Sequence, residues 1–203
     1  MVIAWTALAL LSGSLMFSYW LGLLTRHNIR AVGDGNPGGV NLWKAAGFRW
    51  GLAGIVLDFL KGYAPVWLFL HFGEASGIGV VPVAVAPVAG HAFSPFLGFK
   101  GGKGIAVTFG VWSALTGFEA SLAYAVILAA LKGLGKLTGT GRLASSEADA
   151  IQVVSGMMVL SFYLVARTFA PEVLLFWVGN FVLLAYTHWR EWRSAAVKRN
   201  ITM

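Results

Sequence analysis

The sequence predicts an all-α membrane protein: a polytopic bundle of about seven transmembrane helices forming a single domain over residues 1–203. Three observations support this class. Of the 203 residues, 58% are hydrophobic and only 11% are charged, whereas soluble domains carry roughly 25% charged residues. The apolar residues gather in segments near bilayer-spanning length. The basic residues fall mainly in alternate polar segments between them.

The apolar segments differ in length. The third is interrupted by two prolines, and the fourth and fifth are too short to cross a bilayer alone, so we expect half or re-entrant helices there. Non-helical backbone at membrane depth is tolerated where protein buries it or a wet cavity lies beside it. The predicted spans are 1–24, 50–70, 79–93, 104–115, 119–131, 150–165 and 173–186.

The basic residues predict an orientation. Thirteen of the fifteen lie in the loops after spans one, three and five or in the C-terminal tail, while Arg167 is on the opposite side and Lys61 within span two. Because cytoplasmic loops carry an excess of Lys and Arg, we predict an outer N-terminus, a cytoplasmic C-terminus and a cytoplasmic site. The net charge of +7 thus reflects topology, and no nucleic-acid partner is expected.

The stretch His91–Gly104, HAFSPFLGFKGGKG, is termed the lysine loop. In it, Lys100 and Lys103 bracket Gly101 and Gly102. A glycine backbone turns tightly and directs several N–H groups to one point, and the lysines add positive charge. This is the chemistry of an anion site, with phosphate as the expected ligand. A flexible basic loop at a membrane surface is the alternative.

The first loop, residues 25–49, contains a second glycine-rich stretch, GDGNPGGVNLWK over residues 33–44. Its G-x-G-x-x-G spacing matches a dinucleotide fingerprint, but it follows a membrane span and not a strand, so we reject that match. What remains is a second phosphate nest with Asn36, Asn41 and Lys44 as donors. Ordinary turns are the alternative, since glycine and asparagine also favour them.

Polar residues inside or beside the spans are further candidates. Asp58 and Lys61 stand three positions apart in span two, and intramembrane charges usually pair in the bundle interior. We predict a structural ion pair there in preference to direct catalysis. His91 precedes the lysine loop at the membrane edge, and His188 follows the last span. Both are catalytic candidates, with structural or interfacial hydrogen bonding as the alternative.

Signatures of several other classes are missing. The chain has no cysteine, which removes disulfides, thiolate metal sites and a cysteine nucleophile, and its four histidines lack metal-ligand spacing. It has no G-x-S-x-G elbow, no P-loop and no H-x-x-x-x-D signature. We therefore expect no metal and no cofactor, and an enzyme of this sequence is expected to act by positioning and charge stabilisation.

Three motifs resemble those of one bacterial family. The first loop resembles G-S-G-N-x-G-A-T-N-x-x-R, span two resembles L-D-x-L-K-G-x-x-P, and Gly90 with the lysine loop resembles G-H-x-x-P-x-F-x-x-F-K-G-G-K-G. In order and spacing these are similar to motifs of the bacterial membrane glycerol-3-phosphate acyltransferases that use acyl phosphate. The resemblance covers essentially the whole chain and implies multi-pass insertion in the cell membrane.

The resemblance implies transfer of a fatty acyl group from acyl phosphate to the 1-hydroxyl of glycerol 3-phosphate. The products are lysophosphatidic acid and phosphate, in the first committed step of phospholipid synthesis. The expected partners are these two substrates and the lipid bilayer. The expected catalytic residues are His91, Lys103, His188 and Asn36. The expected substrate-binding residues are Gly33, Gly35, Gly38, Asn41, Lys44, Lys100, Gly101, Gly102, Gly104, Arg142 and Ser145.

This chain departs from the family pattern at the expected site. Asp34, Val40 and Lys44 stand where the first-loop motif has serine, threonine and arginine, and the tail motif H-R-x-N-I keeps His188 but has Glu191 for asparagine. An aspartate in a phosphate nest is adverse unless it pairs with a lysine or turns away. Two other functions therefore stay open: a paralogue that acylates a different acceptor, and a transporter or binding protein for a phosphorylated metabolite.

Overall fold

The structure, a computed structural model, describes residues 1–137 and 145–194. In these ranges the chain is helical, without strands, and short 3₁₀ turns occupy Ile29–Ala31, Gly77–Gly79 and Pro95–Leu97. The α-helices of the described ranges are α1 Val2–Ser14, α2 Phe17–Leu24, α3 Gly39–Ala46, α4 Phe48–Phe72, α5 Val80–Ala92, α6 Ile105–Thr116, α7 Glu119–Leu137, α8 Ser145–Ala166 and α9 Pro171–Thr187.

Four helical segments of the described chain are long and apolar enough to cross a membrane. They cover residues 2–24, 48–72, 77–97 and 146–166, and α6 and α9 are shorter apolar helices. The all-α membrane class predicted from composition is thereby confirmed. The count of seven spans stays a prediction.

The first predicted span is not one continuous helix. It stops at Ser14 and resumes at Phe17, and Leu15 between them has an extended backbone. Two carbonyls at this break are hydrogen-bonded to side chains from elsewhere in the bundle. The Ser14 carbonyl accepts a hydrogen bond of 2.7 Å from Ser94 Oγ, and the Leu15 carbonyl accepts one from Lys61 Nζ. Buried side chains therefore satisfy the interrupted backbone, as the interior of a membrane requires.

The first loop contains a helix that the sequence did not predict. α3 covers eight residues between Gly38 and Gly47, buries Asn41 and Leu42, and leaves Lys44 exposed. Of the glycine-rich stretch, Gly33 and Gly35 do lie in a turn, whereas Gly38 precedes this helix and Gly47 follows it. Such a short amphipathic pattern is hidden because glycine and asparagine are weak helix formers.

The fifth predicted span is also longer than expected. Instead of ending at residue 131, α7 continues to Leu137, and its 19 residues measure ~28 Å at 1.5 Å per residue. The prediction stopped at Lys132, the first charge, although lysine favours helix and extends its charged end toward water. α8 likewise begins at Ser145, five residues before the predicted start at residue 150. The fourth span, α6, is short as predicted, with 12 residues.

Close packing of α4 on α6 places the start of α6 beside the first loop. Gly62 on α4 lies against the Val107 backbone, and Gly110 on α6 lies against the Phe59 carbonyl, so a Cβ at either glycine would clash. Around this contact the core includes Trp112 and Phe176, whose rings meet edge to face at 4.8 Å. The end of the bundle that holds α3 and the start of α6 carries the site.

Candidate active site

A cavity of about 430 Å³ lies between α3, α4, α6 and the end of α5. Its polar lining residues are Asn36, Asp58, His91 and Lys103, and most of the remainder of its wall is apolar. The backbone N–H of Lys103 donates a hydrogen bond of 3.1 Å to Asn36 Oδ1, which brings the two polar loops together at the cavity. The other lining residues are Gly38, Gly39, Val40, Ile55, Phe59, Gly104, Ile105, Ala106 and Phe109.

Two helix N-termini meet at this cavity. Gly38 precedes α3 and Gly104, with φ of +80°, precedes α6, and neither helix has a side-chain capping hydrogen bond. The first residues of both helices line the cavity. First-turn N–H groups have no intrahelical acceptor and carry partial positive charge. The wall is thus suited to bind anions.

Lys103 lies at the centre of the site. Its Nζ is 2.7 Å from Asp34 Oδ2 and 3.0 Å from Glu191 Oε1. Burial disfavours the charged ammonium, but hydrogen bonds with Asp34 and Glu191 outweigh this effect and raise the Lys103 pKa. The Lys103 carbonyl accepts a hydrogen bond of 3.1 Å from Thr187 Oγ1. Lys103 therefore joins the first loop, the lysine loop and the end of α9.

Asp34 is paired and organises the first loop. Its Oδ1 accepts hydrogen bonds from Asn41 Nδ2 at 2.8 Å and from the Asn36 amide at 3.1 Å. Burial alone would raise the pKa of this carboxyl, yet the hydrogen bond with Lys103 leads the contacts that lower it. Asn41 Nδ2 also donates a hydrogen bond to the Asn36 carbonyl. Both N–H donors of Asn41 therefore stabilise the first loop, and Asn41 does not line the cavity.

The glycines of the lysine loop bring it against α5. The amides of Gly101 and Gly102 donate to the carbonyls of Ala92 and His91, both at 3.0 Å. These two N–H groups, which the sequence suggested for phosphate, are thus engaged within the protein. A Cβ on Gly101 would overlap the His91 carbonyl oxygen, and one on Gly102 would overlap His91 Nε2. Glycine is required there for close approach.

Arg30 is a residue of this region that sequence reasoning missed. Its Nη2 donates a hydrogen bond of 2.6 Å to the Lys100 carbonyl, and its guanidinium lies 5.6 Å from the centre of the Tyr19 ring. Through this hydrogen bond, Arg30 in the first loop stabilises the position of the lysine loop. The Lys100 side chain itself is exposed and does not line the cavity. No motif signals this contact, since Arg30 precedes the glycine-rich stretch.

The predicted Asp58–Lys61 ion pair is present, with 2.9 Å between Asp58 Oδ1 and Lys61 Nζ. Ser18 Oγ donates a hydrogen bond of 2.6 Å to the other carboxylate oxygen. Lys61 Nζ also lies 2.8 Å from His91 Nδ1. The pair is therefore directly connected to a residue of the cavity wall, which the spacing within span two could not reveal.

His188 is buried just behind Lys103. Its Nδ1 lies 2.9 Å from the Leu184 carbonyl oxygen, and its buried Nε2 has no hydrogen-bond partner in the described chain. Since a carbonyl only accepts, the proton belongs on Nδ1 and Nε2 carries a lone pair. Burial lowers the pKa of His188, which keeps the ring neutral at pH 7.

The remaining predicted residues are spread around the cavity. Gly33 and Gly35 have φ of +61° and +75° in the turn before α3. Lys44 is exposed, and its Nζ lies 3.2 Å from the position of a Cβ on Gly33. Ser145 begins α8, while Arg142 lies outside the described residues. Of the predicted set, the structure brings Asn36, Gly38, His91, Lys103 and Gly104 together on the cavity wall.

Comparisons with known proteins agree with this architecture. The family model described as glycerol-3-phosphate acyltransferase matches residues 3–197. Glycerol-3-phosphate acyltransferase 1 of Thermotoga maritima is 37% identical over 188 residues, covering 90% of this chain and 92% of the relative. Glycerol-3-phosphate acyltransferase of Maridesulfovibrio salexigens is 33% identical over 172 residues, covering 79% and 88%.

Two solved structures share the fold. Both are crystal structures of PlsY, an integral membrane glycerol 3-phosphate acyltransferase, with 26% sequence identity, and each covers 99% of this chain and 92% of the solved chain. The TM-score is 0.79 for the glycerol 3-phosphate form and 0.78 for the lysophosphatidic acid form.

The helical membrane fold, shared with PlsY and with relatives named glycerol-3-phosphate acyltransferase, thus defines an integral membrane acyltransferase. The match over residues 3–197 makes the family plain: the chain belongs to the glycerol-3-phosphate acyltransferase family.

Proposed function

We propose that this enzyme transfers a fatty acyl group from acyl phosphate to the 1-hydroxyl of glycerol 3-phosphate, giving lysophosphatidic acid and phosphate. One observation carries the proposal: two uncapped helix N-termini and Lys103 converge on a single cavity. Both substrates are phosphate esters or anhydrides, so a site that joins them must hold two phosphates side by side. Each helix N-terminus supplies one anion subsite.

The chemistry needs no covalent relay because acyl phosphate is already activated. The 1-hydroxyl oxygen attacks the acyl carbon, the carbon–oxygen bond to phosphate breaks, and the hydroxyl proton leaves with the phosphate as the hydrogen phosphate dianion. The barrier is lowered by alignment of the two substrates and by positive charge near the developing oxyanion. Lys103 and the first-turn amides of α6 provide that positive charge, and His91 adds a hydrogen-bonding side chain on the cavity wall.

The glycerol end is held by acceptors near Lys103. His188 Nε2 and Glu191 Oε2 are both buried and lack hydrogen-bond partners in the described chain. Unsatisfied buried acceptors are costly, and the hydroxyl groups of glycerol 3-phosphate are donors of the required kind. Both atoms lie outside the cavity lining, so in this proposal the glycerol end reaches past Lys103 and His188 orients the reacting hydroxyl. Asn36 holds the Lys103 backbone in place.

The acyl chain extends along the apolar wall. Val40, Ile55, Phe59 and Phe109 line this part of the cavity, and burial of each methylene group contributes about 0.8 kcal/mol. With the chain along this wall, we expect the acyl carbonyl to lie beside Lys103 and the tail to extend toward lipid.

We further propose seven spans in the bacterial cell membrane, with an outer N-terminus and a cytoplasmic site. The contacts of Lys103 with Asp34 and Glu191 support this arrangement. They place the first loop, the lysine loop and the start of the C-terminal tail at one end of the bundle. These are three of the segments in which basic residues concentrate, as expected of cytoplasmic loops.

The direct test uses purified protein with palmitoyl phosphate and radiolabelled glycerol 3-phosphate. Labelled lysophosphatidic acid and an equal amount of phosphate are expected, whereas palmitoyl-CoA in place of palmitoyl phosphate gives no product. Lys103→Met, which keeps the stem and removes the charge, serves as the negative control. Phosphate binding without any acyl transfer would sink this substrate pair.

A different acceptor is the second candidate, and one observation favours it. Asp34 and Glu191, the two acidic departures from the family motifs, both pair with Lys103 and reduce the positive charge available to a phosphate. A panel of acceptors from glycerol to glycerol 3-phosphate separates the candidates. Faster transfer to an uncharged polyol than to glycerol 3-phosphate would select the second one.

A further inference from the structure

We propose that Asp58 and Lys61 are positioning residues that hold His91 in one tautomer, with its Nε2–H directed at the cavity. His91 then acts as a hydrogen-bond donor to a substrate oxygen and not as a proton acceptor. This inference rests on the proposed acyl-transfer function of the cavity. It gives a catalytic purpose to the ion pair within span two.

The first step is the continuity of the buried chain. Asp58, Lys61 and His91 are 2%, 4% and 3% exposed. Ser18 Oγ donates to Asp58 Oδ2 at 2.6 Å, Asp58 Oδ1 lies 2.9 Å from Lys61 Nζ, and Lys61 Nζ lies 2.8 Å from His91 Nδ1. The Leu15 carbonyl is a further neighbour of the same ammonium. This series of polar contacts thus connects the break between α1 and α2 to the His91 imidazole.

The second step assigns the proton on His91. A lysine ammonium has three N–H donors and no lone pair. Its three polar neighbours are a carboxylate oxygen, a backbone carbonyl and His91 Nδ1. Since Lys61 can only donate, Nδ1 accepts, and the single proton of the neutral ring resides on Nε2.

The third step locates the donor. His91 lines the cavity, and its Nε2 lies so close to Gly102 that only a glycine leaves room. No hydrogen bond from the described residues reaches Nε2, and the nearby Asn36 Oδ1 accepts its hydrogen bond from the Lys103 amide. An unpartnered N–H at this wall is complementary to the acyl carbonyl or a phosphate oxygen, where a fixed donor stabilises developing charge.

A purely structural brace is the competing explanation. Ser12 Oγ donates to the Lys61 carbonyl at 2.9 Å, and Lys61 Nζ contacts Leu15, so this region also supports the broken span. Replacing a brace lowers stability without selecting a tautomer. A buried ion pair by itself also adds little stability, which leaves the contact with His91 as the feature to be tested.

The first experiment reads the tautomer directly in the full-length protein, labelled with ¹⁵N-histidine and reconstituted in lipid nanodiscs. His91→Gln identifies the signals by their loss. The parent is expected to show a protonated Nε2 and an unprotonated Nδ1. The paired variant Asp58→Asn with Lys61→Met, which removes both charges together, is expected to give mixed tautomers. A protonated Nδ1 in the parent, or an unchanged tautomer in the paired variant, overturns the proposal.

The second experiment separates donation from proton acceptance. Glutamine places an amide N–H near the position of imidazole Nε2, so His91→Gln is expected to lose less than roughly tenfold in kcat. His91→Phe is expected to lose on the order of 100-fold or more. Equal losses in both variants would contradict the donor role.

Coupling between the sites completes the test. The Asp58→Asn, Lys61→Met pair is expected to lose ~10- to 100-fold in kcat with a small change in KM, because a displaced donor weakens alignment. In the His91→Phe background the same pair should have little additional effect.

Ser113→Ala removes another buried hydrogen bond, to Ser121 at 2.9 Å, and is the stability control. Additive losses would mark a structural brace and refute the proposal. If acyl transfer to glycerol 3-phosphate is absent, the tautomer measurement still decides this inference separately.

Discussion

Lys103 Nζ lies 2.7 Å from Oδ2 of Asp34, a residue 69 positions earlier in the chain. The same ammonium lies 3.0 Å from Glu191 Oε1 at the start of the tail. Asp34 and Glu191, which both depart from the family motifs, therefore contact the same residue, Lys103, which agrees with its motif. The substitutions are linked through a single contact point in the folded chain.

Asp34→Ser is expected to lower the KM for glycerol 3-phosphate. Serine removes a carboxylate that competes with phosphate for Lys103, and a partly exposed charge of this kind, 19% exposed here, is worth about 1 kcal/mol, or roughly fivefold in affinity. The measurement is KM and kcat with acyl phosphate saturating. Asp34→Asn, which keeps an acceptor for Asn41, is the matched control. A higher KM in both variants would show that the carboxylate shapes the phosphate site instead of opposing it.

The Asp34–Lys103 contact also predicts a pH dependence of stability. The folded-state pKa of Asp34 is lowered from 3.8, so its contribution is complete above that pH and is lost as the pH falls through the lowered value. The pKa of Lys103 is raised from 10.5, so its contribution is complete below 10.5 and is lost as the pH rises further. Thermal unfolding of the parent and Asp34→Asn should therefore differ most between these limits. A constant difference from pH 2 to pH 7 would contradict the ion pair.

Gly101→Ala is expected to abolish most activity while the protein remains inserted in the membrane. The new Cβ overlaps the His91 carbonyl oxygen, which forces the lysine loop away from α5 and moves Lys103. A displacement of about 1 Å costs on the order of 100-fold in rate. Gly133→Ala is the control, because nothing lies within 4 Å of a Cβ there. Normal kcat in Gly101→Ala would refute the close packing.

Phe109 is expected to influence acyl-chain selection. It lines the cavity and stacks on Tyr124 at a ring separation of 5.3 Å. Phe109→Leu replaces an aromatic ring with a smaller side chain and widens the cavity. The preferred acyl chain in a series of acyl phosphates should therefore become longer or more branched, with KM for the acceptor unchanged. Phe162→Leu, at a position that is 76% exposed on α8, should leave the preference as in the parent. An identical chain profile in both variants would remove Phe109 from the acyl site.

Local patterns in the sequence predicted the membrane class, the Asp58–Lys61 pair and the glycine-rich loops that meet at the cavity. They succeeded because charge, hydropathy and glycine spacing act over short stretches. They missed the contact between Lys61 and His91 and that between Arg30 and the Lys100 carbonyl, which join different helices and loops. Such contacts depend on how the bundle packs, which no single segment specifies.

The ends of several elements were missed for a related reason. The break at Leu15 follows Ser12, Gly13 and Ser14 within an otherwise apolar segment of spanning length, and it is stabilised by Lys61 from another helix. Lys132 suggested the end of a span, but α7 continues through it. Hydropathy reports the solvent preferred by a side chain, whereas the backbone follows hydrogen bonds that distant residues complete.

The position of Lys103 has a consequence for biogenesis. Its carbonyl is held by Thr187 at the end of α9 and its ammonium by Glu191, so the lysine loop is restrained by a segment that begins 84 residues later in the chain. A nascent chain that stops before α9 lacks these restraints. We therefore expect the cavity to be completed only after α9 is inserted, and a chain truncated before Pro171 should lack acyltransferase activity.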